Sequence, residues 1–324
     1  MPEHFKLAIV SDVHYACEAE RERRNFLLQG IHNPLLRLAN RAYRHFIWLR
    51  DPFAHNHLLD QFLQEVQAPD LVVANGDYSC DTAFVGVSDD AACQSAAQCL
   101  QKLRQRYGPS FQATFGDHEL GKASLGGGVG GLRLASYYRA QQELGLRPFW
   151  QVTLGDYVLI GLVSSLVAFP IYQPESLANE RAEWQRLRDE HLAEIRRAFA
   201  ALQARQRVLL FCHDPSALAF LWREEAVRRK LPQLEQTIIG HLHSNLVLWN
   251  SRLLAGMPPI HGFGNTLRRL SSALRDARYW KHFKVRLCPS LAGIELLKDG
   301  GYYVAELEAE ARQPVCFQLR PIRR

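Results

Sequence analysis

Short apolar runs punctuate the chain, and five of them close on a polar motif. Residues 7–10, 71–74, 111–115, 208–211 and 237–239 are rich in apolar and β-branched side chains, as buried strands are. Longer stretches follow the helical period instead. Residues 183–206 place Trp184, Leu187, His191, Leu192, Ile195, Phe199 and Leu202 on one stripe, and residues 91–107 form a second such helix. The first half therefore reads as alternating strand and helix, an α/β pattern. Gly155-Asp156 precedes an apolar run and reads as a hairpin turn. After His243 the pattern changes to short strands at 246–249, 302–307 and 315–319.

The polar motifs carry the chemistry. They are Asp12-Val13-His14, Gly76-Asp77, Gly116-Asp117-His118-Glu119, His213 and Gly240-His241-Leu242-His243. Ligands of open α/β sheets gather beyond the carboxyl ends of the strands, so five motifs that each follow a strand should converge. Asp and His donors without thiolates suit hard or borderline divalent ions, and one carboxylate can bridge two of them. Two such ions about 3.5–4 Å apart clamp a phosphoryl group and lower the pKa of the attacking water.

In order and spacing these motifs resemble the calcineurin-like metallophosphoesterase superfamily. The resemblance implies a four-layer α/β/β/α sandwich of two mixed sheets. It implies one domain over 1–324, with helical cap or insert segments around 21–57 and 264–287. It assigns Asp12, His14, Asp77 and His243 to a first ion, and Asp77, Asp117, His213 and His241 to a second, with Asp77 bridging. His118 and Asp77 are then the catalytic residues, His118 supporting the leaving oxygen. Manganese is the expected metal, with iron or zinc as alternatives. Asp117 departs from the pattern, because the family usually has Asn there. A third carboxylate lowers the net charge of the site by one, which retunes the metal unless Asp117 is protonated or turned away.

Charge narrows the substrate. The formal net charge is +6, but residues 21–50 hold seven arginines against one glutamate, a net of +6. Residues 267–286 hold five arginines and two lysines against one aspartate, again +6, which leaves the remainder at −6. Both segments are amphipathic. The bland reading is two surface helices whose apolar sides pack on the domain and whose arginines are solvated. The functional reading is a rim in which Arg37, Arg41, Arg44, Arg268 and Arg269 hold an anionic, partly apolar substrate, or touch an anionic membrane peripherally. A weaker resemblance, to the hydrolases that cleave the pyrophosphate of UDP-2,3-diacylglucosamine, points the same way. Two alternatives stay open: a nuclease using the same centre, and a non-catalytic metal-binding module of the same fold.

The remaining features exclude more than they specify. Seven scattered cysteines without a Cys-x-x-Cys pair fit reduced thiols, and neither a signal peptide nor an apolar span is legible. The expectation is a cytoplasmic protein. Glycines 126–128, 130 and 131 lack the Lys-Ser/Thr ending of a phosphate-cradling loop and read as a mobile loop beside the site.

Overall fold

Among the described residues, ten strands form two mixed five-stranded sheets. In sheet one the order is β10 (Cys316–Pro321), β9 (Gly301–Glu308), β1 (His4–Val10), β2 (Leu71–Ala74) and β3 (Phe111–Ala113). In sheet two it is β4 (Phe149–Leu154), β5 (Tyr157–Leu162), β6 (Arg207–Cys212), β7 (Leu234–Ile239) and β8 (Val285–Leu287). Strands β1, β2 and β3 run parallel, as do β5 to β8; β4, β9 and β10 pair antiparallel to their neighbours. The computed structural model describes every residue except 1–2, 25, 29–30, 125–127 and 262–263. Part of the glycine loop expected at 126–131 therefore lies outside the described residues.

Strand alternation explains the layering. Leu7, Ile9, Leu71 and Val73 pack against Leu159, Leu209, Phe211 and Ile238 in a core between the sheets. Their neighbours Ala8, Val10, Val72 and Ala74 point outward into a second core shared with the helices, as do Val208 and Leu210. A strand buried on both faces must be apolar throughout, which is why these runs stood out in the sequence.

The longer helices are α1 (Pro34–Phe46), α2 (Asn56–Glu65), α3 (Asp90–Tyr107), α4 (Leu134–Gln142), α5 (Arg181–Ala200), α6 (Asn245–Leu253) and α7 (Asn265–Asp276). From α2, Phe62 meets Tyr302 of β9, and from α5 His191 meets Phe149 of β4, so helices lie outside both sheets. The result is the four-layer α/β/β/α sandwich that the resemblance implies. The Gly155-Asp156 turn joins β4 to β5 as an antiparallel hairpin.

Two expectations change. Residues 246–249 are not a strand but the start of α6, because the Ser244 side chain accepts the Leu246 N–H and caps a helix there. Helix α1, capped by Asn33 and opened by Pro34, buries none of its residues. Leu35, Leu36, Leu38 and Phe46 are each more than half exposed, so its apolar side does not pack on the body. The 264–287 segment is built differently: Trp280 and Phe283 are buried, and its last residues form β8, an edge of sheet two.

Candidate metal centre

Each donor loop leaves the carboxyl end of a strand: Asp12 and His14 after β1, Asp77 after β2, Asp117 after β3, His213 after β6, and His241 and His243 after β7. The backbone turns abruptly at these points. Asp12, His14, Asp77, His241 and His243 have φ of 51°, 48°, 59°, 61° and 59°. Left-handed conformations of this kind cost non-glycine residues about 1–3 kcal/mol each and persist where function requires them. Gly76, at φ 93°, has no such penalty, and a Cβ there would stand 2.7 Å from the Gly116 backbone.

The turns bring the donors into two clusters. Asp12, His14, Asp77 and His243 each offer an atom within 4.8 Å of the others, and so do Asp77, Asp117, His213 and His241. Asp77 belongs to both. All are buried except His241, which is half-buried. Backbone carbonyls orient the rings: His14 Nδ1 donates to Ser79 O at 3.2 Å, and His213 Nδ1 donates to Asn75 O. A carbonyl can only accept, so each Nε2 is left with its lone pair toward the centre, as metal-binding histidines require. His14 and His243 approach Nε2 to Nε2 at 3.1 Å. Asp77 Oδ1 accepts the His118 backbone N–H at 3.0 Å, while Asp77 Oδ2 and His213 Nε2, 3.2 Å apart, are buried without a hydrogen-bond partner among the described residues.

A lone pair facing carboxylate oxygens calls for a cation, so the donor set fits divalent metal. Without metal a proton takes that place. Burial opposes charge on His213, but Asp77 and Asp12 outweigh it and raise its pKa well above the ordinary histidine value.

Other groups complete the centre. His118 Nδ1 donates to the Cys80 carbonyl at 3.0 Å, directing Nε2 to 3.8 Å from Asp77 Oδ2. Burial, assisted by the positive Lys122, pushes its pKa down to about 3. Asp117 is turned toward the second cluster. Its Oδ1 lies 2.9 Å from His241 Nδ1 and 3.3 Å from His213 Nε2. Burial works to raise its pKa, but His241 and Lys122 hold it well below the carboxylate range. Lys122, which sequence reasoning missed, stands with Nζ 2.8 Å from Asp117 Oδ2, a close ion pair rather than an aligned hydrogen bond.

The arginines expected on a substrate rim fall in different places. Arg37 donates from Nε and a terminal nitrogen to the Ile31 carbonyl at 3.0 and 2.7 Å, bracing the start of α1. Arg269 is paired with the buried Glu175 at 2.6 Å, and Arg268 is exposed. Arg41 and Arg44 line a cavity of about 510 Å³ together with Arg24, Arg50, Leu38 and Phe46. Beyond α1 the chain returns to the centre, where the Trp48 ring lies 4.6 Å from that of His243. All seven cysteines are free, and all but Cys316 are buried. Among the described residues no helix is long and apolar enough to cross a membrane.

Two donor clusters sharing one carboxylate, set at the strand ends of an α/β/β/α sandwich, define a metal-dependent phosphoesterase. Residues 5–245 match the calcineurin-like phosphoesterase family, and the chain belongs to it. No curated protein matches the chain. Among solved structures it is similar to a phosphopantetheinyl hydrolase from Mycobacterium tuberculosis, at 14% identity and a TM-score of 0.37 over 75% of this chain and 84% of that one. It is similar to a purple acid phosphatase from yellow lupin seeds at 11% identity and a TM-score of 0.36, over 75% of this chain and 38% of that one. A conserved uncharacterized protein from Streptococcus pneumoniae, a predicted phosphoesterase, matches at 9% identity and a TM-score of 0.30, over 99% and 100%. These overlaps are too loose to bear on substrate.

Proposed function

We propose that the protein hydrolyses a phosphoester or pyrophosphate bond in an anionic substrate with a large apolar part, such as a lipid-linked nucleotide of the UDP-2,3-diacylglucosamine kind. Asp12, His14, Asp77 and His243 would hold one divalent ion and Asp77, Asp117, His213 and His241 the other, manganese being the expected metal. Such ions supply an activated water and neutralise charge on the phosphoryl oxygens. The protein's part is to hold the two donor sets around Asp77 and to place His118 Nε2 at the same centre; with Nδ1 on the Cys80 carbonyl, His118 supports the departing oxygen only once Nε2 is protonated, a state the negative charge of a bound phosphoryl group would favour. We read residues 1–324 as one domain whose 21–57 and 264–287 segments serve as the rim.

One observation carries the substrate class. Arg44 is half-buried; among the described residues its buried Nε lacks a partner, and no carboxylate is among the groups that act on its charge. Burial pushes its pKa down to about 10. A guanidinium whose Nε has no partner among the described residues, in a cavity with three further arginines, calls for an anion, and Leu38 and Phe46 in the same wall suit apolar substrate atoms. The exposed leucines of α1 support a peripheral contact with anionic membrane, where that substrate class resides.

The test compares two substrates. Arg44→Glu should raise KM for a diacylated nucleotide pyrophosphate at least tenfold and leave kcat/KM for a small aryl phosphate within about threefold. Equal losses on both would sink the substrate assignment. Tight binding of single-stranded nucleic acid that weakens steeply with salt would replace it with the nuclease reading.

A further inference from the structure

Sequence reasoning leaves the centre with an extra carboxylate; the structure supplies a counter-charge from the same loop. Asp117 opens a single helical turn, Asp117–Leu120, whose last carbonyl partner is the Gly121 N–H, donated to Asp117 O at 2.9 Å. Gly121 then takes φ 92°, and a Cβ there would lie 2.4 Å from Gly131 O. That left-handed residue reverses the chain and returns Lys122 to Asp117.

The two oxygens of Asp117 divide their contacts. Oδ1 faces the histidines of the second cluster, His241 at 2.9 Å and His213 at 3.3 Å. Oδ2 faces Lys122 Nζ at 2.8 Å. The Asp117 side chain is fully buried and that of Lys122 is 23% exposed, so the pair lies largely outside the screening of solvent. Among the described residues Asp117 is the sole carboxylate in ion-pair range of Lys122.

We propose that Lys122 is a positioning residue of the metal centre: it cancels the charge of Asp117 and holds its Oδ2, so that Oδ1 alone is presented to the second donor cluster. The Asp117–Lys122 pair then acts as one neutral oxygen donor. Asp12 and Asp77 remain the uncompensated carboxylates. The expectation that Asp117 lowers the site's charge is thereby replaced: the pair leaves the charge where a neutral donor would. Lys122 reaches Asp117 through space rather than through the metal, so it weakens the hold on the second ion while fixing the ligand's geometry.

This inference rests on the two-ion reading of the centre, and its test separates the two. Metal-stripped protein is titrated with Mn²⁺ in a calorimeter, with no substrate present. Removing one positive charge a few ångströms from a dication should tighten the second binding event of Lys122→Met at least about tenfold at the dielectric of a protein interior. Asp117→Asn should weaken it by a similar factor. Asp117→Asn/Lys122→Met should return to within about threefold of wild type, and Lys122→Arg should stay there too. A lysine that merely supported the loop would give the opposite sign for Lys122→Met, looser binding, and the double variant would not recover. Thermal melts of each metal-free variant establish folding; Lys122→Gln takes the place of Lys122→Met should that protein not fold. Two ions bound with affinities indifferent to Lys122, or a double variant as weak as Asp117→Asn, would overturn the proposal alone. Absence of any bound ion in wild type would overturn the two-ion reading beneath it.

Discussion

Glu119 holds Asp77 through the main chain: its Oε2 accepts the Asp77 N–H at 3.0 Å and the Gly116 N–H at 2.8 Å, while its Oε1 accepts the Tyr78 N–H at 2.8 Å. The shared donor thus sits on a strained turn that a buried carboxylate latches from behind. Removing the acceptor leaves buried N–H donors unpaired, at about 1–3 kcal/mol each. Glu119→Ala should destabilise the fold by about 3 kcal/mol or more in urea unfolding followed by circular dichroism, and should lower metal content. Glu119→Gln keeps one acceptor oxygen and should lose less. An unfolding midpoint unchanged in Glu119→Ala would remove the latch.

Asp77 is the residue common to both donor clusters. Asp77→Ala should therefore abolish metal-dependent hydrolysis of an aryl phosphate more completely than Asp12→Ala or His241→Ala, each of which opens one cluster. Steady-state kinetics with metal analysis of each variant checks this. A residual rate in Asp77→Ala above that of either comparison variant would contradict the shared role.

His118 is fixed by the Cys80 carbonyl with Nε2 toward the centre. A group that supports a leaving oxygen contributes about 10²–10⁴-fold. His118→Asn should lose that factor on a substrate with a poor leaving group and much less on a nitrophenyl ester, which departs unaided. Metal content should stay at the wild-type value. Equal losses on both esters would argue that His118 acts elsewhere.

A pH effect on stability arises far from the metal. His191 on α5 is buried, its Nε2 accepts the Val163 N–H at 3.2 Å, and burial pushes its pKa down to about 4. In the unfolded chain it returns to about 6.5. The unfolded state then binds more protons between these values, so this contribution is present above pH 6.5 and lost as the pH falls toward 4. The difference amounts to about 3 kcal/mol. His191→Gln, which still offers an acceptor to Val163, should flatten the fall in unfolding free energy between pH 6.5 and 4. A slope identical to wild type would show that other groups carry the acid sensitivity.

The sheet and the donor set were legible for one reason. Strands β1, β2, β6 and β7 are buried on both faces, so they read as unbroken apolar runs, and parallel connection puts the loop after each run at one edge. Residues 246–249 were misread because a short apolar run fits helix or strand equally, and the Ser244 cap decides. Contacts made across long sequence distance left no local trace. Arg269 is tied to Glu175, 94 residues away, and nothing in either neighbourhood announces the pair. Lys122 is nearer to Asp117 in sequence, yet its approach depends on the left-handed Gly121. Helix α1 misled in another way: its stripe has the period of a packed helix, and periodicity does not say what the stripe meets.

The donors come from both layers of the sandwich. Asp12, His14, Asp77 and Asp117 follow strands of sheet one, whereas His213, His241 and His243 follow strands of sheet two. Each cluster takes ligands from each sheet, so each ion would rivet the two layers at one rim, adding to the apolar core between them and to hydrogen bonds such as that from the Val315 N–H to Glu235 Oε1. The catalytic machinery is in that respect also a fastening. Loaded and stripped protein should differ most in how readily this rim opens, with amide exchange slowing along the ends of β1, β2, β6 and β7 as metal is added. Mass action then couples the two properties: metal supply sets the durability of the fold as well as its activity.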